Sequence, residues 1–325
     1  MYCKPEKLKK GDEIRIVAPS RSLKLIGADT RQIAEERFAQ MGLKLSFGKN
    51  TIKETADMFL SSPAAERAQD IIDAFADKNV KAVFTVIGGF NSNEILDYID
   101  FDIIKNNPKI FCGFSDITAI SNAIHTMGNM ITYYGPHYSS LGMKKGCEYT
   151  IEMMQKMLIG DGVVDAYPSK EWSDDAWFID QENRTFIKND GWWKIHDGKA
   201  KGTIEGGNIS TFCLLNGTKY HPQFKEDTIL FIEDCAPMSA PEFARLFQSL
   251  ISLPDFKNVK GIVIGRFQKS SNVSREQIEY IVKTKKELEN MPVLANVDFG
   301  HTTPILTIPL GGKAEIDGDK LRLIG

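Results

Sequence analysis

Short β-prone segments alternate with amphipathic ones along the first half of the chain. The β-prone segments span residues 13–18, 82–87, 109–112 and 130–134, and the second is almost continuously apolar. Ala68, Ile71, Ile72 and Phe75 recur at i, i+3, i+4 and i+7, which predicts an amphipathic helix over roughly 64–77. Apolar strands that alternate with helices are typical of a parallel sheet covered on both faces. The pattern predicts a doubly wound α/β domain with its site at the carboxyl ends of the strands.

The second half, from about residue 201, is richer in strand patterns. Predicted strands span 228–232, 259–264 and 293–297, predicted helices span 239–252 and 274–289, and Asp317-Gly318 forms the turn of a terminal hairpin. In the first half, Asp29 or Thr30 is predicted to cap a helix that carries Phe38. We therefore expect an N-terminal α/β domain over 1–165, a linker or substrate loop over 166–200, and a C-terminal β-rich α+β domain over 201–325.

The segment between these halves contains every tryptophan of the protein. Trp172, Trp177, Trp192 and Trp193 stand among Asp, Glu, Asn and Lys residues without clear periodicity. A long polar segment of this kind is more often functional than a plain connection. The tryptophans could stack on a substrate ring, or they could pin the loop to the body of the protein. Both interpretations stay open at this point.

Composition excludes several classes of function. The net charge of −3 and the pI near 6.0 give no electrostatic case for a nucleic-acid or membrane partner. Five cysteines, odd in number and far apart, form neither a zinc motif nor a disulfide framework. The chain lacks a signal-peptide pattern, a dinucleotide fingerprint and a phosphate-binding loop. We expect a cytoplasmic protein of two domains that needs no metal and no cofactor.

The tetrad Gly113-Phe114-Ser115-Asp116 is the first candidate for chemistry, because it joins a predicted strand to a predicted helix. A serine on such a turn has an exposed hydroxyl, and the N–H groups at the start of the helix can hold an oxyanion. The alternative is that Ser115 or Asp116 merely caps the helix. A nucleophile would need a base and a group that orients the base.

His301 is the best placed of the five histidines, because it follows a strand and stands on a constrained loop behind Gly300. His137 also follows a strand, whereas His125 lies too far along the helix to reach back to Ser115. Glu233 directly follows five apolar strand residues, where a carboxylate needs a partner such as an imidazole. Asp234 competes for that role.

The turn Gly88-Gly89 adds a further element at the same edge of the sheet. Glycine lets backbone N–H groups come close to a developing oxyanion. Each of these signals is weak alone, but together they place a serine, a carboxylate, a histidine and a glycine turn at the carboxyl ends of predicted strands.

At these residues the chain resembles the LD-carboxypeptidase family of serine peptidases. The matching segments are 8–12 with 16–20, the tetrad at 113–116, the strand Leu230-Phe231-Ile232-Glu233-Asp234, and Phe299-Gly300-His301. The resemblance runs nearly from end to end and in the same order. It implies a catalytic triad of Ser115, Glu233 and His301, an oxyanion hole from the backbone of Gly89 and Asp116, and a homodimer.

Within the family, residues 87–93, the Trp-rich insert and Gly206-Gly207-Asn208 look like the branch that contains the microcin C immunity protein. Members of that branch cleave the amide between an aminoacyl or peptidyl group and a nucleotide-like moiety, with an aromatic loop around the base. The chain differs from that branch in having Cys235-Ala236-Pro237-Met238 in place of a nucleotide-holding lysine, and Ser210 in place of an asparagine. The resemblance implies substrate contacts at Gly88, Asn91, Asn208, Ser210, Trp172 and Trp177.

The predicted function is a serine hydrolase that cleaves an amide in a peptidyl- or aminoacyl-nucleotide of the microcin C type, and so gives resistance. The alternative is a murein LD-carboxypeptidase that releases a C-terminal D-amino acid from cell-wall tetrapeptides. A third possibility, from another class, is a binding module that keeps the fold without turnover. The expected partner is in each case a small molecule.

Overall fold

The computed structural model describes residues 2–53 and 58–325. Its strands are β1 (Glu13–Val17), β2 (Lys44–Phe47), β3 (Val80–Thr85), β4 (Ile110–Gly113), β5 (Thr132–Tyr134), β6 (Val163–Ala166), β7 (Glu171–Trp172), β8 (Ile187–Lys188), β9 (Trp193–His196), β10 (Lys199–Asn208), β11 (Thr228–Glu233), β12 (Val259–Gly265), β13 (Val293–Val297), β14 (Ile308–Leu310), β15 (Lys313–Asp317) and β16 (Lys320–Ile324). Its α-helices are α1 (Ala28–Gln40), α2 (Ala64–Ala76), α3 (Phe101–Asn106), α4 (Thr118–Gly128), α5 (Glu148–Leu158), α6 (Ile209–Cys213), α7 (Ala240–Ile251) and α8 (Arg275–Lys283).

The first sheet has the strand order β14-β5-β4-β3-β1-β2. Strands β1 to β5 pair in parallel, and β14 adds an antiparallel edge. Ile16 and Phe84 pack on one face of this sheet in the same core as Phe38 of α1, whereas Val17 and Val83 pack on the other face. Both faces are therefore covered, which explains why the strand sequences are apolar at consecutive positions. The N-terminal fold is the predicted parallel-sheet α/β architecture.

The second sheet has the order β6-β16-β15-β10-β11-β12-β13-β9. Its central strands β10 to β13 are parallel, and antiparallel strands flank them on both sides. Phe231 of β11 faces the core that it shares with the first sheet, and Ile232 faces the opposite side, where Phe243 of α7 packs. The separate C-terminal unit is thus β-rich, as predicted.

The two sheets exchange strands. β14, from the C-terminal part of the sequence, completes the first sheet beside β5. β6, which precedes the Trp-rich segment, pairs with β16 in the second sheet. In the part of the chain that the structure describes, no helix is both long and apolar enough to cross a membrane.

Most predicted elements lie within a few residues of their observed positions, with two corrections. The first long helix begins at Ala28 with Gly27 as its N-cap residue, so Asp29 lies in the first turn rather than at the cap. There its charge is still favourable toward the helix dipole. The charged helix predicted over 274–289 ends at Lys283, and a separate 3-10 turn follows, which places Leu288 in the core.

Candidate active site

Ser115 stands directly beyond the carboxyl end of β4, in a single 3-10 turn (Ser115–Ile117) that leads into α4. Its φ of 63° lies in the left-handed region, which is costly for a residue with a side chain. Strain of this kind is typical of the turn that presents a nucleophile at the top of a sheet. The side chain bonds to a histidine rather than capping the helix.

Three side chains from distant parts of the sequence form one hydrogen-bonded chain. Nε2 of His301 lies 2.8 Å from Oγ of Ser115, and Nδ1 of His301 lies 2.8 Å from Oε2 of Glu233. Glu233 is fully buried, whereas the His301 side chain is 16% exposed. The arrangement has the connectivity by which a histidine accepts the proton of a serine hydroxyl while a carboxylate holds its ring.

Gly300 makes the approach of His301 to Glu233 possible. A Cβ at position 300 would lie 2.2 Å from Oε2 of Glu233, and the φ of Gly300 is 107°. Any larger residue would displace the carboxylate that the histidine needs, and it would also be strained. The glycine in front of the histidine is therefore a geometric requirement of this site.

The second oxygen of Glu233 has its own partners. Oε1 accepts hydrogen bonds from the hydroxyl of Tyr134, at the end of β5, and from Nδ2 of Asn208, at 3.2 Å. The same Tyr134 oxygen accepts the backbone N–H of Ser115 at 3.2 Å. Asp234, the competing carboxylate of the sequence analysis, instead accepts from Asn208, Ser210 and the N–H of Cys235.

These contacts shift the pKa values of His301 and Glu233. Burial, the largest single effect, would lower the pKa of His301, but the charge of Glu233, its hydrogen bond and the charge of Asp234 together raise this pKa above its ordinary value. Burial alone would raise the pKa of Glu233, but His301 and the hydrogen bonds from Tyr134 and Asn208 hold it below its usual range. The pKa of Asp234 is raised, first by burial and then by the neighbouring Glu233. The shifts thus run in opposite directions in these two adjacent acids.

The Gly88-Gly89 turn packs against the serine. A Cβ on Gly88 would lie 3.1 Å from Oγ of Ser115 and 3.6 Å from the backbone N of Asp116. The Asp116 carboxylate accepts hydrogen bonds from Oγ of Ser20 at 2.7 Å and from the N–H of Ser92 at 3.0 Å. These bonds hold the backbone of the turn that follows Ser115 in a fixed position.

Two cavities meet at Ser115. The first, of about 340 Å³, has the Gly88-Gly89 turn, His301, Trp177 and Phe178 in its wall. The second, of about 320 Å³, is lined by Asn208, Ser210 and Asp234 together with Gly89 and Ser115. A molecule with groups on both sides of a reacting bond could therefore place that bond at the serine.

Two residues that the resemblance assigns to substrate lie elsewhere. Asn91 is buried, and its Nδ2 donates to Ser61 and Glu94, so it lines neither cavity at Ser115. Trp172 lies at the β7–β8 hairpin, with its ring 5.2 Å from the guanidinium of Arg266, in the wall of a different cavity. The structure brings Trp177, and not Trp172, to Ser115.

The structure also brings in Tyr134 and Arg21, which the sequence did not indicate, and His137, which it did. Tyr134 ends a predicted strand, and Gly113 and Glu233 directly follow predicted strands, so this shared position was the signal that could have found Tyr134. Arg21 follows Pro19-Ser20 at the end of β1 and lines the first cavity. His137 lies in the same wall, where burial lowers its pKa to about 3 and keeps its ring neutral.

Within residues 2–53 and 58–325, no group of three or more His, Cys, Asp or Glu residues is arranged to hold a metal ion.

Comparison with known proteins gives two family matches. Residues 14–135 match the LD-carboxypeptidase N-terminal domain, and residues 201–316 match the LD-carboxypeptidase C-terminal domain. A putative carboxypeptidase of Treponema pallidum is 47% identical over 96% of this chain and 92% of its own length. The microcin C7 self-immunity protein MccF of Escherichia coli is 32% identical over 87% of this chain and 84% of its own. A probable murein peptide carboxypeptidase of Bacillus subtilis is 30% identical over 97% of this chain and 91% of its own length.

Solved structures are similar over nearly the whole chain. An MccF-like protein of Bacillus anthracis superposes with a TM-score of 0.96 at 46% identity, covering 99% of both chains. MccF in complex with aspartyl sulfamoyl adenosine superposes with a TM-score of 0.86 at 30% identity, covering 100% of this chain and 98% of the other. Two of these relatives have names that indicate a substrate, microcin C7 in one case and murein peptides in the other, whereas the Treponema pallidum protein is named only as a putative carboxypeptidase.

Proposed function

The chain belongs to the LD-carboxypeptidase family of serine peptidases, and on that premise we propose that Ser115, His301 and Glu233 cleave an amide bond in an aminoacyl- or peptidyl-nucleotide. The observation that carries the proposal is the continuous hydrogen-bonded chain from Oγ of Ser115 through His301 to the buried Glu233. Its distances are those at which proton transfer between the groups takes place.

The proposed reaction has two halves. His301 accepts the Ser115 proton at Nε2 while Oγ attacks the amide carbonyl carbon, and the N–H groups of Gly89 and Asp116 hold the oxyanion. His301 then passes the proton to the leaving nitrogen, and the carbon–nitrogen bond breaks. Water, deprotonated by His301, then attacks the acyl carbon, and His301 returns the proton to Oγ of Ser115 as the ester bond breaks and the acid leaves. Glu233 keeps its negative charge throughout and stabilises the imidazolium.

The aromatic residues in the wall of the first cavity favour a substrate whose leaving group is a nucleotide. Trp177 and Phe178 stand together there with ring centroids 6.1 Å apart, and Phe178 is 70% exposed. Exposed aromatic faces beside a polar reaction centre are suited to stacking on a base, which contributes about 1–3 kcal/mol in nucleic-acid binders. MccF, whose structure is similar, was solved with aspartyl sulfamoyl adenosine.

A murein tetrapeptide is the second candidate substrate. The segment that stands in place of the nucleotide-holding lysine is Cys235-Ala236-Pro237-Met238, which offers no cation beside Ser115. A peptide with a C-terminal D-amino acid would not need one. The similarity to the probable murein peptide carboxypeptidase of Bacillus subtilis also favours this substrate.

Mass-spectrometric turnover assays separate these substrates. Wild-type protein and the Ser115→Ala variant are incubated with aspartyl sulfamoyl adenosine and with the tetrapeptide L-Ala-γ-D-Glu-L-Lys-D-Ala. Serine-dependent cleavage of the adenosine compound alone is the expected result. We expect Ser115→Ala to lower kcat by roughly 10⁴-fold, as in other triads. Ser252→Ala, at an exposed serine that ends α7, is the matched control and should keep full activity.

Other outcomes identify the other functions. Release of D-alanine from the tetrapeptide alone would make the protein a cell-wall carboxypeptidase and would reject the nucleotide. A binding module would turn over neither compound, and an acyl-type inhibitor would fail to label Ser115. Turnover by Ser115→Ala at the wild-type rate would reject the triad itself.

A further inference from the structure

Arg21 and Ser115 lie on opposite sides of the same glycine turn. A Cβ on Gly88 would lie 3.1 Å from Oγ of Ser115, and a Cβ on Gly89 would lie 3.1 Å from Cγ of Arg21. The backbone of Arg21 is fixed by an antiparallel bridge to Ser61. The arginine stem therefore passes over the turn that is proposed to hold the oxyanion, and its head enters the first cavity.

The guanidinium of Arg21 has an aromatic contact but no counter-ion among the residues that the structure describes. It lies 4.9 Å from the centroid of the Phe90 ring, and its buried Nε has no hydrogen-bond partner. Two other shielded arginines are each paired with an aspartate. Arg266 bonds to Asp298 at 2.7 Å, and Arg184 bonds to Asp175 at 2.8 Å. A cation that is partly buried without an anion is costly unless a ligand supplies one.

Arg21 is the one lysine or arginine among the described residues that line the first cavity. Two acids share this wall, but Asp175 is paired with Arg184, and Asp174 accepts the backbone N–H of Lys269. Any positive charge on His301 is balanced by Glu233. The free positive charge of the cavity is therefore that of Arg21.

The second cavity differs in having acidic side chains without a basic one among the described residues. Asp234 and Glu242 line it, and no lysine or arginine does so among the described residues. An anionic group would be repelled from this side of Ser115 and attracted to the other. These charges favour one orientation of a bound substrate, with its anionic group on the Arg21 side of Ser115.

We propose that Arg21 binds the anionic group next to the scissile amide and so selects substrates that carry one. The planar guanidinium can donate two parallel hydrogen bonds to a carboxylate, or to the oxygens of a phosphate or sulfamate. Both substrates under consideration have such a group on the leaving side. It is the α-carboxylate of a terminal D-alanine in one case and the charged acyl-sulfamate or phosphate linkage in the other. The inference rests on the proposed function, because it assigns a specificity contact within the same site.

Paired substrates test the role of Arg21. The peptide pair is the tetrapeptide with a free C-terminus and its C-terminal amide. The nucleoside pair is alanyl sulfamoyl adenosine and the alanyl amide of 5′-amino-5′-deoxyadenosine, which keeps the base and the scissile amide but lacks the anion. Each compound is assayed with the wild type, Arg21→Met, Arg21→Lys and the control Arg275→Met, at an exposed arginine of α8 that pairs with Glu279.

The wild type should prefer the charged member of its substrate pair. Arg21→Met should lose roughly 10- to 100-fold in kcat/KM on the charged member, as expected for hydrogen bonds to a charged group, and almost nothing on the neutral one. Arg21→Lys should be intermediate, since it keeps the charge but not the planar fork, and Arg275→Met should match the wild type. Loss confined to the peptide pair would identify a carboxylate as the ligand, and loss confined to the nucleoside pair would identify a sulfamate or phosphate.

The two proposals can fail separately. An unchanged preference for the charged member in Arg21→Met would overturn the role of Arg21 while the hydrolase function stands. If the wild type turns over none of the compounds, calorimetry still tests the contact. It compares the binding of each compound to Ser115→Ala and to the double variant Ser115→Ala/Arg21→Met. Weaker binding of the charged member to the double variant would keep the anion contact and reject only hydrolysis, and equal binding would reject both.

Discussion

The hydroxyl of Tyr134 donates a hydrogen bond to the oxygen of Glu233 that His301 leaves unused. Both side chains are buried, and the two residues are 99 positions apart in the sequence. The same hydroxyl oxygen accepts the N–H of Ser115. One phenol therefore links the backbone of the proposed nucleophile to the carboxylate that orients the proposed base, across the boundary between the two sheets.

Replacing Tyr134 by Phe should lower kcat by roughly 10-fold with little change in KM, because a hydrogen bond to a charged group is lost and no substrate contact is removed. The Phe ring would still fill the space between Phe114 and Phe299. Steady-state kinetics on the cleaved substrate measure the effect. An increase in KM with unchanged kcat would contradict a positioning role and indicate that the hydroxyl contacts substrate.

The pH dependence of kcat/KM should report the His301–Glu233 pair. The proposed base must be neutral, and although burial opposes it, the charge and hydrogen bond of Glu233 with the charge of Asp234 raise the pKa of His301 above 6.5. Activity should therefore decline as the pH falls, with a midpoint above 6.5. Glu233→Gln removes the negative charge, so the residual activity of this variant should have a lower midpoint. An unshifted midpoint in Glu233→Gln would mean that another group controls the profile.

Gly89→Ala should impair catalysis more than folding. The new methyl group would lie 2.1 Å from Oγ of Ser20, which is bonded to the Asp116 carboxylate, so either the turn or that bond must move. We expect kcat to fall by roughly 10²- to 10³-fold, the range for loss of one oxyanion donor. Gly27→Ala is the matched control, because a Cβ there meets nothing within 4 Å. Equal kcat values for the two variants would exclude the Gly89 backbone from the oxyanion hole.

Trp177→Ala should raise KM for a sulfamoyl adenosine substrate by roughly 10- to 100-fold, since stacking on one base contributes about 1–3 kcal/mol. It should leave KM for the tetrapeptide nearly unchanged. Trp172→Ala provides the comparison, because its ring lies against Arg266 outside the Ser115 cavities. If both variants bind the adenosine compound as the wild type does, base recognition lies elsewhere in the protein.

The sequence predicted those parts of the site that follow from the ends of parallel strands. Ser115, Glu233 and His301 each come just after an apolar run, and the carboxyl ends of such runs meet at one edge of a sheet. Tyr134 stands in the same kind of position, but a tyrosine in an apolar run reads as core. Only the fold shows that its hydroxyl reaches a carboxylate in the other half of the chain.

The binding residues were harder to predict, because loops place them. Asn91 follows the Gly88-Gly89 turn closely in sequence, but its amide turns inward to Ser61 and Glu94. Trp172 and Trp177 are five positions apart in one polar segment, yet the β7–β8 hairpin holds Trp172 against the second sheet while Trp177 reaches the cavity. Local pattern does not determine such placements, since they depend on contacts between distant segments.

The exchange of β14 into the first sheet bears on how the protein is made. As the chain leaves the ribosome, residues through β5 can assemble most of the first sheet, but the free edge of β5 stays open until β14 has been synthesised. An open edge of this kind invites pairing with other chains. Ser115 is synthesised 186 residues before His301. The nascent polypeptide is therefore without its proposed base until residue 301 has been synthesised.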